Sequence, residues 1–169
     1  MTTKAAPVDV VVLHAPWRGA LKAHARLARQ AARAALEGAG SRGERRAIAI
    51  ALGDDALLQE LNRRYRGKDR PTNVLSFAAG EPDRLGDIAL SLSRLRTEAR
   101  AQGKTLAAHF QHLVVHGTLH LLGFDHEASA GEATRMEGLE RQVLAGLGVA
   151  DPYRPQPVKI PKKKAKSIR

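Results

Sequence analysis

One stretch restricts this chain more than any other: His116-Gly117-Thr118-Leu119-His120-Leu121-Leu122-Gly123-Phe124-Asp125-His126. Five of the seven histidines fall between His109 and His126. His116 and His120 are four apart, so on a helix both rings leave one face. The flanks, Leu113 to Val115 and Leu119 to Leu122, are apolar apart from His120 itself. Gly123 followed by apolar Phe124 reads as a helix stop, with Phe124 folding back onto Leu119. That reversal carries His126 round to face the other two rings. Such a trio suits zinc or a similar divalent ion, because three imidazole ligands leave one tetrahedral position open for water. A closed structural site would take a fourth ligand, usually Cys, and the chain has none. The competing reading is a buried helix whose histidines are merely hydrogen-bonded. Three rings at these spacings beside a glycine stop favour the metal.

Position 117 narrows the chemistry. A metalloprotease helix carries a glutamate beside its first ligand as general base. Here that residue is Gly117. Glycine inside a helix costs about 1 kcal/mol against alanine, so it serves a purpose. It clears space above the metal, or it allows a close helix contact.

Length and charge bound the rest. A chain of 169 residues is one domain's worth. It has no apolar run of membrane-spanning length and no signal-peptide core, so it is expected to be soluble and cytoplasmic, with no membrane partner. The net charge of +11 argues for a polyanionic partner, nucleic acid first. Seven of those excess charges lie in residues 154–169: Arg154, Lys159, Lys162, Lys163, Lys164, Lys166 and Arg169. With three prolines and no apolar period, that tail is expected to be disordered in isolation. It is either an arm that lies on phosphates or a solubility tail. Residues 1–153 are expected to form the single domain.

Taken in order, Val8 to Leu13 reads as a strand buried on both faces. Arg18 to Leu36 reads as one helix with a basic stripe (Arg18, Lys22, Arg26, Arg29, Arg33), which is either its wet side or an RNA contact. Ala47 to Leu52 is a second strand. Asp54 caps the next helix, with Leu57, Leu58, Leu61 and Tyr65 as its buried face. Val74 to Phe77 and Leu85 to Leu90 are further strands, and Ser93 to Gln102 is a short helix. Thr105 caps the histidine helix. Ser129 and Glu132 form a capping box opening a last helix, with Met136, Leu139, Val143 and Leu147 inward. The fold class expected is α+β (α/β-like), one mixed sheet of about four strands with helices against it.

Three blocks resemble the YbeY family of ribosomal-RNA maturation endoribonucleases. Residues 116 to 126 match its signature H-G-x-L-H-L-x-G-[YF]-D-H throughout. Leu61, Asn62, Tyr65, Arg66, Asp69, Pro71, Thr72 and Val74 to Phe77 match a second block, and Leu85-Gly86-Asp87-Ile88 a third. The resemblance implies a mixed sheet with the metal in a cleft and three ligands, His116, His120 and His126, to one zinc-like ion. It also implies a functional arginine at Arg66 and processing of ribosomal RNA, notably the small-subunit 3′ end, with a part in ribosome quality control. A guanidinium fork suits a phosphodiester; the alternative is an arginine capping its own helix. Asn73 stands where many members carry Asp, so it cannot act as a base. Asn73, Ser76 and His112 are candidate substrate contacts. Asp87 either orients a ligand histidine through its second ring nitrogen or caps a loop.

The expected activity is metal-dependent cleavage of single-stranded RNA, with Arg66 on the phosphate and a water activated by the zinc ion. In the alternative route the RNA 2′-hydroxyl attacks. The rival functions are a peptide or amide metallohydrolase, which Gly117 and the basic charge disfavour, and a ribosome-associated binding protein with a structural metal.

Overall fold

The structure, a computed structural model, describes residues 4–154. The basic tail expected to be disordered lies, from residue 155 onward, outside the described residues. Four strands form one mixed sheet: β1 (Val8–Val12), β2 (Ala47–Gly53), β3 (Val74–Ala78) and β4 (Arg84–Ser91), in the order β1-β2-β4-β3. β1, β2 and β4 run parallel, and β3 returns antiparallel on β4. Six helices complete the described fold: α1 (Trp17–Ala20), α2 (His24–Gly38), α3 (Asp55–Arg66), α4 (Leu92–Ala101), α5 (Leu106–Leu121) and α6 (Ala130–Gly146). This is the expected α+β class. No helix among the described residues is long and apolar enough to cross a membrane.

Strand alternation decides what reaches the site. Ile48, Ile50 and Leu52 of β2 and Ile88 and Leu90 of β4 are fully buried. They meet α2 and α5 on one face of the sheet, while the alternate residues point the other way, toward α3. Four alanines of α2 (Ala28, Ala31, Ala32, Ala35) are fully buried and let that helix approach α5 closely. α5 is buried almost all round, through Phe110, Leu113, Val114, Val115, Thr118 and Leu119 among others, as a helix running through a core must be. Asp54, Thr105 and Ser129 accept backbone N–H bonds at the starts of α3, α5 and α6, as their side-chain chemistry predicts.

Three expectations need correction. β1 is an edge strand, not one buried on both faces: Val11 is 47% and Leu13 60% exposed. The helix expected over 18–36 is two helices, because buried Leu21 takes a non-helical backbone (φ -143°, ψ 88°) and breaks the run. Tyr65 is not core. Leu58 and Asn62 are the buried residues of α3. Tyr65 is 60% exposed, since α3 lies against edge strand β3 and its last turn has Phe77 beneath it, the two rings 5.3 Å apart.

Candidate metal centre

The centre is built on the C-terminal half of α5. Gly123 takes φ +95°, a left-handed conformation that glycine adopts without a Cβ clash. Phe124 N donates to Leu119 O and Gly123 N to His120 O, the paired bonds of a Schellman stop. The chain reverses there, and His126 swings back over the helix. The ring centroids of His116, His120 and His126 lie 4.5 to 5.1 Å apart. One nitrogen from each ring lies within 4.8 Å of the others. His116 Nε2 and His120 Nε2 are 3.0 Å apart.

Those distances fit a divalent ion. Zinc–nitrogen bonds of 2.0–2.1 Å in a tetrahedron place ligand nitrogens about 3.3 Å from one another. The donors are three imidazoles, which suit zinc and its first-row neighbours. Burial, together with the neighbouring His116 and His126, lowers the pKa of His120 to about 4. Its ring is therefore neutral near pH 7, the form that ligates. His126 is the most open of the three at 40% side-chain exposure, so one side of the trio faces solvent.

Behind His116 stands a carboxylate that sequence reasoning missed. Glu140 of α6 is fully buried and hydrogen-bonds His116 Nδ1. Tyr153 donates its phenol to the same carboxylate, and His112 Nε2 lies 3.5 Å from it. Burial alone would raise the pKa of Glu140, but the nearby His112 ring and the hydrogen bonds from His116 and Tyr153 hold it at about 2. The ionised carboxylate keeps the His116 proton on Nδ1 and leaves the Nε2 lone pair toward His120. His112, His116 and Glu140 form a second group with metal-ligand spacing. It uses the opposite nitrogen of the same ring, so it serves as hydrogen-bonding support for the first. The signal was present in the sequence: Met136, Glu140, Val143 and Leu144 share one helical face, and a glutamate on an apolar face needs a partner.

The other candidates fall in several places. Asp87 is bound by Arg84 at 2.7 Å, and the carboxylate that meets a ligand histidine is Glu140 instead. Alternation explains the correction. Ile88 faces α5, so Asp87 beside it faces away. Gly117 resolves toward close contact: a Cβ there would lie 2.9 Å from Ser76 Oγ and 3.0 Å from Ile88 Cγ2. Ser76 Oγ donates to Gly117 O at 3.1 Å, tying β3 to the ligand helix. Arg66, the last residue of α3, donates to Ser76 O at 2.8 Å, and its guanidinium sits 5.4 Å from the Phe77 ring centre. Gly67 stops that helix at φ +66°, and Asn62 Nδ2 holds the loop through Arg70 O. Asn73 Nδ2 donates to Glu98, which also binds His109, so its amide is engaged within the fold. His112 is largely buried, its ring against Tyr153 and beside Glu140, behind the histidine trio.

Known proteins align over the same residues. A profile described as endoribonuclease YbeY matches residues 18–148. An endoribonuclease YbeY of Azorhizobium caulinodans is 50% identical over 153 residues, covering 86% of this chain and 95% of that protein. One from Alkalilimnicola ehrlichii is 50% identical over 145 residues, covering 82% and 86%. A Thermotoga maritima protein solved in solution shares the fold with a TM-score of 0.53 at 23% identity, over 90% of this chain and 99% of that one. With the match spanning α1 to α6, the chain belongs to the YbeY family.

Proposed function

We propose that this protein is a zinc-dependent endoribonuclease that cuts single-stranded RNA. Its place is ribosomal RNA processing, including maturation of the small-subunit 3′ end, and ribosome quality control in the cytoplasm. The observation that carries the reading is the convergence of His116, His120 and His126 nitrogens within 4.8 Å, open to solvent on one side. The relatives named endoribonuclease and the net charge of +11 support an RNA substrate.

The chain's own residues divide the work as follows. His116, His120 and His126 hold the ion, and Glu140 with Tyr153 fixes the His116 ring. When bound, the ion supplies Lewis acidity and activates water as a nucleophile near neutral pH. Arg66 spends one N–H on Ser76 O and keeps the rest of its fork for a phosphodiester. It grips the phosphate and stabilises the charge that builds on it in the transition state. Asn73 and Ser76 are engaged within the protein and His112 is packed against Glu140 and Tyr153, and we assign all three to support of the site: Ser76 links Arg66 to α5, and His112 sits behind Glu140.

Gly117 argues against a peptidase. A glutamate there would have to enter the space held by Ser76 and Ile88, so the metalloprotease base has no room. The test is digestion of single-stranded and duplex RNA by zinc-loaded and chelated protein, with casein in parallel. Cleavage of single strands that zinc restores supports the reading; cleavage of casein alone overturns it. A 2′,3′-cyclic phosphate end would replace water attack by attack of the 2′-hydroxyl.

A further inference from the structure

Among the described residues only four large apolar side chains are exposed: Val11, Leu13, Tyr65 and Tyr153. Val11 and Leu13 belong to edge strand β1 and the residue after it. Tyr153 has its phenol bonded to Glu140. Tyr65 is the one beside the phosphate-gripping arginine, and nothing in the mechanism above uses it. We propose that Tyr65 is a stacking platform for one unpaired base of the RNA, next to the cleaved phosphate, and that it underlies the preference for single strands. The inference rests on the endoribonuclease reading and adds a subsite to it.

The geometry comes from strand alternation. Ser76 faces α5, and Phe77, the next residue of β3, faces the opposite side of the sheet. Tyr65 and the Arg66 guanidinium both rest on the Phe77 ring, at 5.3 and 5.4 Å. Arg66 also bonds Ser76 O, so it sits at the edge of β3, between the ligand helix on one face and Tyr65 on the other. Ser76 thus links Arg66 to the carbonyl of Gly117, next to His116, and Phe77 links it to Tyr65. Phe77 braces the Tyr65 ring from below, and at 60% exposure the ring stays accessible. A braced ring loses little freedom when a base lands on it.

The surroundings fit a nucleotide rather than a greasy partner. Arg64, Lys68 and Arg70 are exposed on the same turn and loop, with Arg66 among them. This alternation of cation and aromatic is how single-stranded nucleic acid is held, phosphates on the cations and a base on the π-face. Every base has such a face, so the subsite is sequence-tolerant. A duplex base already has both faces stacked and cannot reach the ring.

The test uses full-length protein treated with chelator, so that RNA is bound and not cut, and short fluorescein-labelled single-stranded RNA read by anisotropy. Tyr65→Ala is expected to weaken binding about 5- to 150-fold, and Tyr65→Phe by no more than about twofold. Tyr65→Leu, which covers Phe77 without a π-face, should behave like alanine while keeping the wild-type melting temperature. A single abasic nucleotide walked along the RNA should weaken wild-type binding at one position and leave Tyr65→Ala indifferent there. Wild-type affinity in Tyr65→Ala, or the same abasic penalty in both proteins, overturns the inference and leaves the nuclease reading standing. If the wild type binds zinc but no RNA, both fall together.

Discussion

Replacing Glu140 by glutamine removes one charge from behind His116 and changes the shape of the side chain hardly at all. The carboxylate is fully buried and receives hydrogen bonds from His116 Nδ1 and from the Tyr153 phenol. Glutamine can still accept from His116, so the ring stays where it is. What is lost is the anion that makes Nε2 a stronger donor and pins the proton on Nδ1. Partners of this kind change metal affinity by about 10- to 100-fold, equivalent to about 1.4–2.8 kcal/mol. Zinc affinity of the Glu140→Gln protein, measured by competition with a chromophoric chelator, should fall within that range. Glu140→Ala is a different experiment. It leaves the His116 Nδ1–H without its acceptor and should cost folding stability by about 1–3 kcal/mol, the penalty for an unsatisfied buried donor. Zinc affinity in Glu140→Gln within about twofold of the wild type would refute the reasoning. The carboxylate would then be a packing feature and not a support of the ligand.

Other perturbations separate the remaining roles. Arg66→Glu should keep zinc affinity and lose RNA cleavage; normal turnover would remove Arg66 from the site. The metal-free protein should lose stability as pH falls from about 6.5 to 4, because the unfolded chain protonates His120 before the folded one does. Calorimetry of His120→Ala should show a shallower loss over that window, and an unchanged profile would show that His120 does not carry it. Gly117→Ala should destabilise the fold, since its Cβ would press on Ser76 and Ile88 at 2.9–3.0 Å. Overpacking of about 1–3 kcal/mol should outweigh the better helix propensity, as urea titration would reveal. Truncation after Tyr153 removes seven cations and should lower the salt slope of RNA binding; an identical slope would mean that the tail touches no phosphate.

The convergence of the histidine trio was legible because everything that assembles it is local. One helical turn separates His116 from His120, and one glycine reversal brings His126 back. The caps at Asp54, Thr105 and Ser129 were legible for the same reason. Glu140 was harder to see, because its role needs α6 to lie on α5, and no spacing within either helix says so. Asp87 drew attention as a carboxylate in a matching motif. Only the register of β3 on β4, with Phe77 opposite Asp87 and Ser76 opposite Ile88, shows which of the two faces it takes.

Tyr65 marks the limit of periodicity more sharply. Leu58, Leu61 and Tyr65 recur at three and four, and that pattern says only that they share a side of α3. It does not say how far the sheet extends beneath them. β3 is the edge of the sheet, so α3 reaches it before its last turn is covered, and a position that patterns as core ends as surface. An amphipathic helix that overhangs an edge strand must present its final apolar residue to something. Where that residue is aromatic, braced on a second ring and flanked by an arginine tied to the ligand helix, the overhang becomes part of the site. The same edge that exposes Tyr65 also frees the Ser76 carbonyl for Arg66, so the strand order β1-β2-β4-β3 positions both groups at once.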